Sequence, residues 1–349
     1  MRQEGEAVNS LQAVIAKMPR IELIAGPTPI ERLHRIEEAL GNSLGGVRLF
    51  VKRDDVMGLG GGGSKLRKLE FLLGDAKTKE ADTVIAVGGR QSNHARLTAA
   101  AAARCGLKCE LMLTQAVPRY DTDYQQSGNV LLDNLFGATI HDLPSSANAW
   151  DHANARAISL RAEGRGAYVT PTGGSSPIGC LGYAACALEI VEQSRALGIQ
   201  FDRIVIPNGS SGTHAGLAAG FVALEQAPSL VRSFCVLANE EDSRDTTAKL
   251  LGATLQLLDV RASVDATEID VIGSERGSAY GAPTASMMRS LRLMARCEGL
   301  LLDPVYSGKA FAGLLAGICN GDYAPGHNVL FIMTGGSPGL FAYRNEFAG

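Results

Sequence analysis

The chain of 349 residues has no excess of charge of either sign. It contains 33 lysine and arginine residues against 36 aspartate and glutamate residues. A balanced composition provides no electrostatic field that would hold a polyanion or an anionic membrane surface. We therefore expect neither nucleic acid nor membrane among the partners of this protein.

Long hydrophobic runs are also absent from the sequence, although 46% of the residues are hydrophobic. None approaches the length that a membrane-spanning helix needs. The first twenty residues lack the continuous apolar stretch of a signal peptide, and their apolar residues follow the spacing of a short amphipathic helix. The composition predicts a protein that buries a large core without a membrane.

The seven cysteines form neither a disulfide framework nor a metal-binding motif. Their number is odd, and most lie scattered within apolar runs, as reduced thiols do in cytoplasmic proteins. Cys105 and Cys109 lack a second ligand pair at metal spacing, and the six histidines are dispersed. We expect a cytoplasmic protein without a metal site.

Glycine, by contrast, is abundant at 41 residues. Apolar runs, glycine-rich turns and long helical segments alternate, which is typical of parallel βα units. The sequence contains no obvious linker, so two domains would have to be interleaved through crossings of the chain. A cofactor crevice would then lie between their sheets, at the carboxyl ends of the strands. The predicted strands are 47–52, 83–87, 108–113, 139–143, 167–170, 203–207, 233–238 and 328–333, and the predicted helices are 66–77, 92–105, 128–136, 149–162, 178–197, 213–223 and 285–298.

A glycine-rich loop leads into the first of these helices at Lys65. Backbone N–H groups at a helix start, together with burial, depress the pKa of a lysine and favour its nucleophilic neutral form. A flexible surface loop with a solvated lysine remains the alternative for this segment alone.

The same loop, Gly58 to Gly63, fits the pattern G-x-G-x-x-G of dinucleotide sites. No strand runs directly into it, and no acidic residue follows the strand that ends at Val87. It also fails as a nucleotide-triphosphate loop, because Leu66 stands where a magnesium-binding hydroxyl is required. Both nucleotide interpretations are disfavoured.

Two further segments join a strand to a helix through small polar residues. Ser92 and Asn93 open the helix 92–105, where they cap the helix, bind a substrate carboxylate, or do both. The other segment runs through Gly209, Ser210, Ser211, Gly212 and Thr213. Its hydroxyls and helix start form a cradle for a monophosphate, with an ordinary turn as the weaker alternative.

Near the C-terminal end stands the segment Leu302 to Lys309, which includes Tyr306 and follows Tyr280. Either tyrosine alone is also compatible with a half-buried core ring.

In this order the segments resemble the fold-type II pyridoxal-phosphate enzymes, and among them the family of 1-aminocyclopropane-1-carboxylate deaminase and D-cysteine desulfhydrase. The resemblance extends from about residue 24 to residue 343 and rests on five stretches: GGGGSKLRKLEFL, GGRQSNHAR, NGSSGTHAGL, GLLLDPVYSGKAFAGL and TGGSPGLFAY. It implies an α/β fold of two open, twisted, mostly parallel sheets flanked by helices, like that of tryptophan synthase β. Residues 1–67 and 174–349 would form a large cofactor domain, and residues 68–173 a small inserted domain.

The resemblance also implies roles for individual residues around pyridoxal 5'-phosphate. Lys65 would bind the cofactor covalently and move the proton at the substrate Cα, and Asn93 would hydrogen-bond the cofactor's phenolic oxygen. Ser92, with Asn93 and His94, would hold the substrate. The phosphate would lie on Gly209, Ser210, Ser211, Gly212 and Thr213, with help from Lys68, while Tyr306 and Tyr280 would line the pocket.

Ser307 distinguishes between members of this family. The cyclopropane deaminases look to have a glutamate after the tyrosine, whereas the desulfhydrase-like members have a hydroxyl residue. A hydroxyl beside the pyridine nitrogen stabilises a carbanion less than a charged partner does, which suits β-elimination with a good leaving group. We therefore predict a deaminating lyase that converts D-cysteine to pyruvate, ammonia and sulfide, as a homodimer.

Three positions depart from the family pattern: Ser64, Leu66 and Arg90. Arg90 is either a solvated or phosphate-facing residue, or a ligand for an anionic β substituent such as the sulfonate of cysteate. Three competing functions stay open: cyclopropane ring opening, a nicotinamide-dependent oxidoreductase, and a catalytically idle cofactor-binding protein, for which Ser64 is the only hint.

Overall fold

A computed structural model describes residues 2–347 of the chain. Its ten strands are β1 Ile30–Arg32, β2 Arg48–Lys52, β3 Thr83–Gly89, β4 Lys108–Thr114, β5 Thr139–Leu143, β6 Ala167–Thr170, β7 Arg203–Asn208, β8 Val231–Cys235, β9 Asp270–Ile272 and β10 Asn328–Ile332. Its α-helices are α1 Arg2–Ala16, α2 His34–Leu40, α3 Lys65–Thr78, α4 Asn93–Cys105, α5 Thr122–Gln126, α6 Gly128–Leu135, α7 Ala149–Ala162, α8 Pro177–Leu197, α9 Gly212–Ala223, α10 Glu240–Leu257, α11 Ala285–Glu298, α12 Ser307–Asn320 and α13 Pro338–Ala342. Within this range no helix combines the length and apolarity needed to cross a bilayer.

The strands form two sheets. Six strands are arranged in the order β1-β2-β10-β7-β8-β9, and four in the order β5-β4-β3-β6. Only β1 runs antiparallel to its neighbour, while the other pairs are parallel. The predicted fold class of two mostly parallel sheets is confirmed.

Parallel strands covered by helices on both faces bury both sets of side chains, which explains their continuous apolar runs. In β7, Ile204 and Ile206 pack into the core formed with α8, α9 and α10. Val205 points the other way, into the core formed with α11 and α12. This alternation follows from the two-residue period of a strand.

The strands of the four-stranded sheet all lie between residues 83 and 170, and those of the six-stranded sheet come from both sides of that stretch. The exact domain boundaries, 67/68 and 173/174, stay a prediction. The carboxyl ends of β3, β6 and β7 lead into loops that meet between the two sheets, where α/β proteins bind ligands.

Several elements differ from the sequence prediction. The strand predicted at 233–238 is β8, Val231–Cys235, because the chain leaves the sheet before Leu237, whose side chain is exposed. The sequence prediction did not include helices α2, α5, α10, α12 and α13 or strands β1 and β9. The glycines of α12 suggest a loop, yet a Cβ on Gly313 would lie 2.3 Å from the Phe234 ring, so the helix needs glycine there to pack closely.

Candidate active site

A cavity of about 320 Å³ lies between the two sheets. Loops from both sheets line it, together with the start of α3. Its walls include most of the predicted site residues, namely Lys65, Ser92, Asn93, His94, Gly209, Ser210, Ser211, Thr213, Tyr280 and Tyr306.

Lys65 is the first residue of α3 and lies half-buried in the cavity wall. Burial is the main cause that lowers the pKa of its amine; Asp303 and Asp54 oppose the shift, the nearby Arg96 adds to it, and the resulting pKa is about 8. The loop before it needs glycine, because a Cβ on Gly62 would lie 2.1 Å from the carbonyl oxygen of Asp55. The local fold therefore holds an amine that is partly neutral near physiological pH.

A network of buried charges lies close to Lys65. Arg67 donates from Nε to Asp54 Oδ2 at 2.9 Å and from Nη1 to Glu189 Oε2 at 2.8 Å. Lys52 Nζ donates to Glu189 Oε1 at 2.6 Å, and the Tyr183 hydroxyl donates to Asp54 Oδ2 at 2.9 Å. Arg67 keeps the pKa of Asp54 below its usual value despite complete burial, so the network stays ionised.

The loop after β7 forms a turn that lines the cavity. Asn208 Oδ1 accepts the Ser211 backbone N–H at 3.1 Å. Ser211 has a φ of 65°, a left-handed conformation that is strained for a residue with a side chain. Ser210 and Thr213 line the cavity at the start of α9, where free N–H groups favour an anion.

Lys68 lies behind this turn, outside the cavity lining but against the start of α9. Its Nζ donates to Gly173 O and to Ser175 Oγ, each at 3.2 Å. A Cβ on Gly212 would lie 2.8 Å from that Nζ. Burial, with a smaller contribution from Lys65, lowers the pKa of the amine to about 7. A buried amine whose partners are neutral oxygens is suited to an anionic ligand, which would favour the protonated form of the amine.

Asn93 is held in one orientation by two neighbouring side chains. Its Oδ1 accepts from Arg96 Nη1 at 3.1 Å and from Asn129 Nδ2 at 3.0 Å. The amide NH₂ is therefore the group that remains to donate to a ligand. Ser92 caps α4 by accepting the Ala95 N–H at 3.2 Å, which leaves its hydroxyl proton free to donate.

His94 is buried and neutral. Burial, with smaller contributions from Lys65 and Lys68, lowers its pKa to about 3. Its Nε2 lies 3.2 Å from Thr170 Oγ1. The ring therefore contributes no positive charge for binding a substrate carboxylate.

Tyr280 and Tyr306 line the cavity as a pair, with ring centroids 6.1 Å apart in an edge-to-face arrangement. Burial raises the pKa of both phenols, so both stay protonated. The interaction fixes the two rings relative to each other.

Ser307 lies outside the cavity lining and is fully buried. Its hydroxyl donates to Asp303 Oδ1 at 2.6 Å and accepts the Asp303 N–H at 2.8 Å. The hydroxyl predicted as the neutral partner of the pyridine nitrogen is thus also bound to a carboxyl group that the sequence pattern did not reveal. Asp303 also accepts the Tyr306 N–H at 2.9 Å and so fixes the turn that positions this tyrosine.

Arg90 binds groups that lie outside the cavity lining. Its Nη2 donates to Gln125 O at 2.9 Å, and its Nη1 pairs with Asp142. Because these groups already bind the guanidinium and it does not line the cavity, the structure does not support Arg90 as a ligand for an anionic substituent.

The sequence analysis did not identify some residues that form or adjoin the cavity. Trp150 and Leu237, both partly exposed, lie at the cavity from opposite parts of the chain. Ser175 follows two glycines after β6, a strand–glycine–hydroxyl pattern like those of the recognised segments, which is the signal that would have identified it.

Comparisons with known proteins agree with this geometry. Residues 21–335 match the model of a family described as pyridoxal-phosphate dependent enzyme. The chain belongs to this family. It is therefore an enzyme, and its cofactor is pyridoxal phosphate.

Curated relatives of the chain include D-cysteine desulfhydrases. That of Serratia proteamaculans is 39% identical over 337 residues, covering 97% of this chain and 99% of the relative. That of Klebsiella pneumoniae is 40% identical over 330 residues, covering 95% and 98%. Among solved structures, an ACC deaminase homologue is 37% identical with a TM-score of 0.85, covering 97% of this chain and 98% of that one. A fungal L-serine ammonia-lyase from Rhizomucor miehei, 16% identical with a TM-score of 0.64 over 92% of this chain and 97% of that one, shares the fold.

The residues of the cavity fit pyridoxal phosphate. An amine of lowered pKa at Lys65 can bind an aldehyde, and the turn at the start of α9 with the buried Lys68 suits a phosphate. The oriented amide of Asn93 suits an oxygen acceptor. Each of these groups belongs to the chain and lies in or against the same cavity.

Proposed function

We propose that this protein is a deaminating lyase that converts D-cysteine and water to pyruvate, ammonia and sulfide. The observation that carries the proposal is the placement of Lys65, Ser92 and the Tyr280–Tyr306 pair in one cavity beside a turn suited to phosphate. The near-complete alignment with D-cysteine desulfhydrases supports the substrate.

When bound, pyridoxal phosphate supplies an electron sink for the electron pair released at the substrate Cα. Lys65 would hold the cofactor's aldehyde until the substrate's amine takes its place there, and the lysine amine released in this way would take the proton from Cα. The hydroxyl of Ser92 and the N–H groups at the start of α4 bind the substrate carboxylate.

The remaining residues orient the reactants and exclude water. Asn93 donates its amide N–H to the cofactor's phenolic oxygen. Ser210 and Thr213 hold the phosphate, with Lys68 as the nearby cation. Tyr306 and Tyr280 orient the substrate, and they stay neutral because burial raises the pKa of both.

The reaction is tested with the purified holoenzyme and separate samples of D-cysteine, L-cysteine, L-cysteate, D-cysteate and 1-aminocyclopropane-1-carboxylate. We expect pyruvate and sulfide in equal amounts from D-cysteine and little product from the others. If D-cysteine yielded neither product and another amino acid were turned over, D-cysteine would be the wrong substrate. The assignment as a pyridoxal-phosphate-dependent enzyme would still stand.

The covalent link is tested by borohydride reduction followed by peptide mass analysis. We expect a pyridoxyl adduct on the peptide containing Lys65 and none in Lys65→Ala. The exposed Lys79 provides the matched control, since Lys79→Ala should keep the adduct. Wild-type protein without an adduct on the Lys65 peptide would refute the proposed function.

Cyclopropane ring opening is the second candidate, because a solved structure with 37% identity is described as an ACC deaminase homologue. It would release 2-oxobutyrate instead of pyruvate, and chromatography of the hydrazones separates the two keto acids.

We also propose a cytoplasmic homodimer. Leu135 and Phe341 are exposed by 70% and 67% on α6 and α13, which contact each other. Exposed apolar side chains on adjacent helices are typical of a subunit contact. Light scattering during size-exclusion chromatography measures the mass, and replacing both side chains with serine should yield monomers.

A further inference from the structure

Ser175 connects the four-stranded sheet to the phosphate turn. It follows β6, and its Oγ lies 2.7 Å from Ser210 Oγ. The same oxygen accepts the Gly212 N–H and a proton of Lys68 Nζ, each at 3.2 Å. One hydroxyl thus contacts three groups at the start of α9.

The hydrogen-bonding capacity of a hydroxyl determines the direction of these bonds. A serine oxygen has two lone pairs and one proton. Gly212 and Lys68 take the two lone pairs of Ser175, so its proton goes to Ser210 Oγ. The proton of Ser210 is then free to donate, and Ser210 lines the cavity whereas Ser175 does not.

The two loops are in close contact, and this contact depends on glycine. A Cβ on Gly212 would lie 2.4 Å from Ser175 Oγ. A Cβ on Gly173 would lie 2.3 Å from Ser210 Oγ, and the φ of Gly173 is +64°. The backbone of the two loops therefore fixes the positions of the Ser175 hydroxyl, the Ser210 hydroxyl and the Lys68 amine.

A second observation points to an anion at this place. The Lys68 amine is buried, and its hydrogen-bond acceptors, Gly173 O and Ser175 Oγ, are both neutral, so no counter-charge stabilises its protonated form. A buried charge is stabilised when it meets an opposite charge.

We propose that Ser175 is a positioning residue of the phosphate site, which turns the Ser210 hydroxyl proton toward a phosphomonoester and holds the Lys68 ammonium beside it. This inference rests on the proposed function and adds a residue from the loop after β6 to that site. Its consequence is selectivity for pyridoxal phosphate over unphosphorylated pyridoxal.

The test compares Ser175→Ala with Ser176→Ala. Ser176 is a matched control, because its Oγ caps α8 by accepting the Gly179 N–H at 3.2 Å. Apoenzyme prepared from each holoenzyme is titrated with pyridoxal phosphate and with pyridoxal, and binding is followed through the fluorescence of Trp150, the single tryptophan, which lines the cavity.

We expect Ser175→Ala to raise the Kd for pyridoxal phosphate about tenfold, as loss of hydrogen bonding to a charged group does. The Kd for pyridoxal should stay the same, and Ser176→Ala should leave the ratio of the two constants unchanged. Ser210→Ala should reproduce the phosphate-selective loss, and it serves as the test if Ser175→Ala does not fold.

Equal weakening of both ligands by Ser175→Ala and by Ser210→Ala would reduce Ser175 to a structural contact and overturn the inference. This outcome is distinct from failure of the proposed function, which would already appear as wild-type protein without an adduct on Lys65.

Discussion

The hydroxyl oxygens of Tyr280 and Tyr306 lie 2.5 Å apart in the cavity wall. One phenol donates to the other, so the pair has one remaining proton to offer to a ligand. The loops that carry the two residues are separated by helix α11 in the chain. Their contact is therefore a tertiary feature that no local pattern specifies.

We expect Tyr306→Phe to lower kcat about 100-fold, in the lower range of losses for a positioned proton-handling group. Tyr280→Phe should have a smaller effect, because Tyr306 keeps its own hydroxyl. Steady-state release of pyruvate from D-cysteine measures both. Tyr168 supplies a control, since its hydroxyl bonds Asp75 at 2.7 Å outside the cavity lining. If Tyr306→Phe retained wild-type kcat, the pair would have no part in turnover.

Asn129→Asp should change how Asn93 meets the cofactor. The substitution removes the Nδ2 donor 3.0 Å from Asn93 Oδ1 and places an acceptor there, which favours a flipped Asn93 amide. We expect a shifted visible absorption band of the bound cofactor. Asn134→Asp on the same helix, whose side chain donates to Val130 O, is the control and should leave the band in place. Identical spectra for wild type and Asn129→Asp would show that Asn129 does not orient Asn93.

Asp54→Asn should destabilise the fold by about 3 to 5 kcal/mol, because it leaves the buried Arg67 without a full counter-charge. Urea unfolding of the cofactor-free protein measures the free energy. The exposed Asp245 is the comparison, and Asp245→Asn should leave the free energy of unfolding within about 0.5 kcal/mol of wild type. If Asp54→Asn lowered the free energy of unfolding as little as Asp245→Asn does, the network of buried charges would contribute little to stability.

Acid should destabilise the protein through its buried histidines. Burial lowers the pKa of His214 to about 3, whereas an unfolded histidine titrates near 6.5. Between these values the unfolded chain binds more protons, so stability is full above about pH 6.5 and falls as the pH drops toward 3. One such imidazole contributes a slope of up to about 1.4 kcal/mol per pH unit.

His214→Gln should therefore flatten the dependence of unfolding free energy on pH between 6.5 and 3. The exposed His152 is the control, and His152→Gln should retain the wild-type slope. Urea titrations at half-unit pH intervals give the comparison. If the plots of unfolding free energy against pH were parallel for His214→Gln and wild type, groups other than His214 would cause the loss of stability in acid.

The recognised segments predicted the fold and most of the cavity, because each joins a strand to a helix and parallel strands bring such junctions to one edge. Arg90 lay within a recognised segment, but sequence adjacency does not specify side-chain direction, and Asp142 on β5 binds its guanidinium. The setting of Ser307 was likewise not specified by any local pattern. Its partner Asp303 is four residues away, and only the turn brings the carboxylate onto the hydroxyl.

Strand β10 lies between β2 and β7 in the middle of the six-stranded sheet, although it is the last strand of the chain. Strands β2 and β7 therefore acquire their shared neighbour only after residues 328–332 have been synthesised. Ser64 depends on this late strand too, because its N–H donates to the carbonyl of Thr334, just beyond β10, at 3.0 Å. A chain truncated before this strand thus lacks this backbone support for the residue next to Lys65.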